Sequence, residues 1–146
     1  KRQGKRLIMS EEDPNIGQQF TGIVGNDLIS SSLKSIKSMQ EITGPVAAAL
    51  VKFKQPINKA EEEHPVTKAN RHLNSAYSAM NTALFHHTSE RHQLALKEAV
   101  GSHQHLMKAL EYGLKVPGIT TPDSKFITHA ADVTDNMIKL QRLYAE

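Results

Sequence analysis

The chain has 146 residues, 38% hydrophobic and 23% charged, with no cysteine, no tryptophan, four phenylalanines and three tyrosines. That length suits one domain, and a core so poor in aromatics must be aliphatic and alanine-rich, which favours closely packed helices over a β-sandwich. Disulfides and thiol catalysis are excluded and a reducing compartment fits; no Asn-x-Ser/Thr acceptor occurs, and no apolar run approaches the roughly 18 residues of a membrane span. The expected location is cytoplasmic or inside a virus particle, with no membrane partner.

The formal net charge of +3 is unevenly placed. Lys1, Arg2, Lys5 and Arg6 supply four of the eighteen basic residues, and without them fourteen basic residues face fifteen acidic ones. The basic character therefore belongs to an N-terminal arm on a near-neutral body.

Residues 1–19 carry that cluster, then Glu11-Glu12-Asp13, Pro14 and Gly17, with little apolar periodicity, and read as an extended arm preceding a helical domain over 20–146. From Asn26 or Asp27, either of which suits a cap, Ile29, Leu33, Ile36 and Met39 or Gln40 fall at helical spacing. Gly44-Pro45 predicts the end of this helix and the start of a second, whose Val46, Leu50, Phe53 and Ile57 continue the spacing until Pro56 stops it near Gln55. Residues 56–64 form a charged connector.

Pro65 restarts a helix, and neither Gly nor Pro intervenes before Gly101. Ala69, Leu73, Ala76, Met80 and Leu84 form one apolar face; Leu96, Val100, Met107, Leu110 and Leu114 form another, with His103 in the vacant seam position. Either the chain turns at residues 86–89, with Thr88 or Ser89 capping the next helix, or one rod of about 75 Å runs from 65 to 115. Val116-Pro117-Gly118 ends the region in both cases. Thr121-Pro122-Asp123-Ser124 predicts a helix start with Thr121 as cap, followed by the seam Phe126, Ala130, Val133, Met137, Leu140 and Tyr144 at 4-3-4-3-4 spacing.

Eight histidines invite a metal reading, yet none stands three or four residues from another, and His103 and His105 lie about 200° apart around a helix. Glu61 and His64 make a single Glu-x-x-His in the connector. Most of these histidines read as partly exposed, with His103 as a seam residue whose protonation would weaken packing, a candidate pH response. Catalysis has only commonplace pairs, His129 with Asp132 and Ser102 with His103; no phosphate-binding loop or cofactor motif is present.

The expected fold is all-α, a bundle of four to five amphipathic helices, elongated if 65–115 is one rod. The expected function is a non-enzymatic structural or assembly component, of the kind found in a virion or phage particle, meeting other protein subunits through helix packing. The alternative is a nucleic-acid-associated protein whose Lys1, Arg2, Lys5 and Arg6 contact phosphates.

Overall fold

The computed structural model describes residues 14–53, 63–121 and 123–145. They form four helices and no strand: α1 (Pro14–Phe53), α2 (Pro65–Thr88), α3 (His92–Gly113) and α4 (Phe126–Ala145). Gly25 lies beside His87 and Thr43 bonds Asn70, Ser102 bonds Ala76, His103 bonds Thr134, and Asn136 bonds Ser32. These pairings make each helix antiparallel to the next and close the ring with α4 against α1, an up-down-up-down four-helix bundle. No described helix is long and apolar enough to cross a membrane.

Helix α1 corrects the sequence reading twice. It starts at Pro14, inside the stretch read as an extended arm, with proline in the first turn where its missing N–H costs nothing. It also runs through Pro45, so Gly44-Pro45 separates no helices and the bundle has four. A proline inside a helix removes one hydrogen bond and crowds the preceding turn, a cost of about 3 kcal/mol. Here the ring faces solvent while Thr43 and Ala47, on either side of it, are buried, so packing against the bundle holds the helix continuous. Its 40 residues span about 60 Å, well beyond its neighbours, and it overhangs α2 at both ends.

The chain turns between 65 and 115, as one of the two readings had it, but the caps are not those expected. Ser89 closes α2, Glu90 takes a left-handed φ of 62°, and Arg91 precedes α3 without a side-chain cap. At α4 the cap moves from Thr121 to Ser124, whose Oγ accepts from the Phe126 N–H at 3.2 Å, so the helix begins at Phe126 rather than at Thr121-Pro122.

The core reads as heptads. On α2, Val66, Ala69, Leu73, Ala76, Met80, Ala83 and His87 are buried at strict 3-4 spacing. The buried face of α3 is Ala95, Ala99, Ser102, Leu106, Ala109 and Gly113. That face is rotated from the predicted Leu96, Val100, Met107, Leu110 and Leu114, because small residues at 95, 99, 102 and 109 let α3 approach α2 closely. The α2–α3 interface is the most extensive in the bundle, and the Ser102 hydroxyl donates across it to the Ala76 carbonyl. The bulk comes from Leu73 and Met80 on α2, Leu106 on α3, Ile29, Ile36 and Met39 on α1, and Phe126, Val133, Met137 and Leu140 on α4. Val116 and Ile119, in the loop after α3, close one end of the core.

Two glycines permit close approach. A Cβ on Gly113 would stand 2.6 Å from the Phe126 ring, and one on Gly25 would stand 2.3 Å from the His87 ring. Replacing fully buried Ala76 by Leu is expected to lower unfolding free energy by about 1–3 kcal/mol through overpacking; urea denaturation measures it, and an unchanged midpoint would contradict the tight α2–α3 seam.

Candidate functional site, an apolar groove between α3 and α4

Helix α4 carries two apolar stripes. The inward one is the seam predicted from the sequence: Phe126, Ala130, Val133, Met137 and Leu140 are buried in the chain's own core and Tyr144 is half-buried. The second is Ile127, Ala131, Thr134 and Ile138, at 4-3-4 spacing and roughly 110° round the helix. Beside it on α3 lie Met107 and Leu110, each one residue round from a buried position. The two rows enclose an open, mostly apolar groove of about 420 Å³.

This groove exists because α3 and α4 share the least extensive interface of the four adjacent pairs. With its small residues turned toward α2 and the core, α3 leaves its larger ones on the α4 side. Ile127 stays 47% exposed and Ile138 44%. Single exposed apolar residues are ordinary; a contiguous row is a recognised mark of an interaction surface.

His103 stands at the edge of the groove. Its Nε2 lies 2.9 Å from the Thr134 hydroxyl, and that hydroxyl donates to the Ala130 carbonyl at 3.1 Å. The hydroxyl oxygen must therefore accept, and Nε2 carries the proton. Burial pushes the His103 pKa below its ordinary 6.5. Its neighbour Ser102 is committed to the Ala76 carbonyl on the opposite side of α3, so the two adjacent residues are not brought together as a catalytic pair. The Nδ1 of His129 is buried without any hydrogen-bond partner, so Asp132 does not orient that nitrogen.

Two histidine clusters arise across helices, where spacing within one helix gave no sign of them. His72 on α2 and His105 on α3 bring their Nδ1 atoms to 3.2 Å, and Tyr112 stacks on His72. Lys68 and Lys115 lie over the Tyr112 ring at 5.2 and 5.5 Å. Burial, then the charges of Arg71, His105 and Lys108, hold the His72 pKa below 6.5 against the opposing effect of Glu63. No group of three or more metal-ligating side chains occurs among the described residues.

Most of the histidines are partly exposed, as expected; the exception, at the other end of the bundle, is His87, 3% exposed. Its Nε2 donates to the Gly22 carbonyl at 3.0 Å, and its Nδ1 pairs with the Tyr144 hydroxyl at 2.8 Å. His92 stacks on both His87 and Tyr144. Burial raises the Tyr144 pKa to about 12 and, together with the neighbouring His87, lowers that of His92. This cluster ties all four helices together. Lys1, Arg2, Lys5 and Arg6, the predicted phosphate contacts, lie outside the described residues.

The chain matches no protein family model, and no curated protein or solved structure is detectably similar to it.

The lowered pKa values of His72, His92 and His103 fix a pH dependence. Each is harder to protonate folded than unfolded, so the unfolded chain takes up protons first and acidification favours it. Their contribution is complete above about 6.5 and is lost as pH falls below it. Denaturant midpoints are expected to fall between pH 7.5 and 5.5, and less steeply in His103→Gln; a flat wild-type curve would remove the pH response.

Proposed function

We propose that this protein is a non-enzymatic interaction component of a larger assembly, docking through helix packing at the α3/α4 groove. The observation that carries this reading is the apolar row of Ile127, Ala131 and Ile138 along the groove, which the chain's own core leaves exposed. Folding alone explains the inward seam, Phe126 to Leu140, because it is buried within the chain. The second stripe repeats the seam spacing; Thr134 is held by His103, while Ile127, Ala131 and Ile138 stay exposed, and an exposed apolar helix face is completed by another helix. A small helical building block of a virion or phage particle would suit the same properties.

The test is a retention experiment on extract from the native source. Immobilised wild-type chain is expected to retain a partner that an Ile127→Asp/Ile138→Asp double variant loses at least tenfold, with helical circular dichroism unchanged. Both residues are solvent-exposed, so the substitutions remove interface rather than core. Retention indifferent to the double substitution would overturn the reading.

A second reading, association with a phosphate-bearing polymer, is favoured by the outer face of α2 and α3. There Lys68, Arg71, Lys108 and Lys115 gather around His72, His105 and Tyr112. Arg71 pairs with Glu63 at 2.8 Å and Lys108 approaches Glu111 at 3.9 Å, which leaves a cationic excess around Tyr112. Contacts of this kind bind without reading sequence and weaken steeply with salt. On this reading, Lys68→Glu/Lys115→Glu is expected to weaken binding to a DNA oligonucleotide severalfold and flatten its salt dependence; equal binding by variant and wild type would exclude this face.

A further inference from the structure

We propose that the outer face of α2 and α3 binds the phosphodiester backbone of a nucleic acid with uptake of one proton, carried by the facing imidazoles of His72 and His105. The proposal rests on the second reading above, that this face meets a phosphate-bearing polymer, and adds the ligand class and a switch that makes binding depend on pH.

The geometry of the pair limits what it can hold. The two Nδ1 atoms lie 3.2 Å apart and the ring centroids 5.4 Å apart, so the nitrogens point at one another as in an N–H···N hydrogen bond. One ring must donate from Nδ1 and therefore has a bare Nε2; the other accepts at Nδ1 and carries its proton on Nε2. A proton added to the bare Nε2 turns the donor ring into an imidazolium, keeps the bond and makes it charge-assisted. A second proton would set N–H against N–H and break it. The pair thus takes one proton, and with it the one Nε2 lone pair that would repel an anion becomes a second donor. Both rings are partly exposed, and neither Nε2 is buried without a partner.

What suppresses that proton in the free protein is what an anion would neutralise. His72 is held below its ordinary pKa by burial, then by the charges of Arg71, His105 and Lys108, with Glu63, just before α2, opposing them. Lys68 and Lys115 lie over the Tyr112 ring, which itself stacks on His72. Arg71 pairs with Glu63 and Lys108 approaches Glu111, both at the exposed surface, where ion pairs contribute little. Lys68 and Lys115 have no carboxylate partner among the described residues. Glu98 stands on the same side of α3 as His105, two turns away. A bound phosphate offsets Arg71 and Lys108, so the pair holds its proton more readily, and by linkage binding tightens as pH falls. The same cations oppose a metal ion at the facing nitrogens.

The ligand is a chain of phosphates. Lys108 and Lys115 stand seven residues apart, about 10 Å along the line of α3, and Lys68 and Arg71 lie on the neighbouring helix, too widely set for a single phosphate to meet all four. A phosphodiester also keeps its charge through the pH range concerned, unlike a phosphate monoester, whose second ionisation falls at about pH 6. Any proton taken up therefore belongs to the protein.

The experiment titrates the full chain into a fluorescently labelled DNA oligonucleotide at constant ionic strength, at pH 7.5 and 6.0, and counts protons by calorimetry in two buffers of different ionisation enthalpy. Wild type is expected to bind about fivefold tighter at pH 6.0 and to take up about half a proton more there than His72→Gln/His105→Gln, which keeps all four cations and every other histidine. At pH 7.5 the two proteins should bind within about twofold of each other. Equal proton uptake, or an equal gain on acidification, would overturn the proposal. If the double variant loses helical circular dichroism, wild type alone decides: the nuclear magnetic resonance titrations of His72 and His105 must move to higher pH on adding oligonucleotide, and unmoved titrations overturn it. Inorganic phosphate that displaces the oligonucleotide at equal total phosphate overturns the polymer as ligand. Binding that Lys68→Glu/Lys115→Glu weakens but pH leaves unchanged removes the proton switch and keeps the basic face. Binding indifferent to that substitution removes both.

Discussion

The rest of the bundle depends on the close packing of α2 against α3. Ala69, Ala76 and Ala83 recur at heptad spacing on one helix, and Ala95, Ser102 and Ala109 do so on the other. Small side chains bury little apolar area themselves, so their contribution is geometric: they bring the backbones near enough for the Ser102 hydroxyl to reach the Ala76 carbonyl. Core volume is then filled by Leu73 and Met80 of α2 and Leu106 of α3 together with Ile29, Ile36 and Met39 of α1 and Phe126, Val133 and Leu140 of α4. The close approach also sets the rotation of α3. With alanine and serine turned inward, Met107 and Leu110 face the α4 side, and the groove follows from the same constraint that seals the opposite interface.

Histidine chemistry in this protein is likewise a product of helix proximity. His72 and His105 are separated by more than thirty positions in the chain, yet their rings meet over the α2–α3 seam. His87 occupies the last buried heptad position of α2 and finds room only because Gly25 presents no side chain to it. A buried imidazole without partners would be costly; here one nitrogen is satisfied by the Gly22 carbonyl and the other by the Tyr144 hydroxyl. Tyr144, the last residue of the predicted seam, thus ends that seam with a polar contact, and the long α1 is joined to α2 and α4 through one side chain. The basic cluster around Tyr112 and the apolar groove beside Thr134 lie on different sides of α3, so a phosphate-bearing ligand and a protein partner would not compete for the same surface.

Periodicity carried much of the fold in advance. The spacing of Ile29, Leu33, Ile36 and Met39, and of the residues from Phe126 to Leu140, follows directly from which positions of a helix share a face, and these residues are buried. Local rules were less informative at the boundaries. Pro45 reads as a break because an isolated helix has nothing to offset a lost hydrogen bond; within the bundle, burial of Thr43 and Ala47 holds the helix continuous. Hydrophobicity misplaced the α3 face because it weights Leu and Val above Ala, Ser and Gly, whereas a close helix contact selects for small volume. The stripe Ile127, Ala131, Thr134, Ile138 was visible as a second 4-3-4 series, overshadowed by the longer seam on the same helix.

By itself, then, the sequence determined that the chain is helical and which residues of α4 and of α1 from Ile29 to Met39 face inward, because both properties follow from short-range periodicity and from apolar residues avoiding water; beyond Pro45 the expected Val46 is exposed and Ala47 is buried instead. Only the tertiary structure decided the partner of the α4 seam, which is the chain's own core. It likewise decided which histidines meet and which apolar row stays open to solvent. Those outcomes depend on how closely and at what rotation the helices pack, a distance set jointly by side chains far apart in the chain.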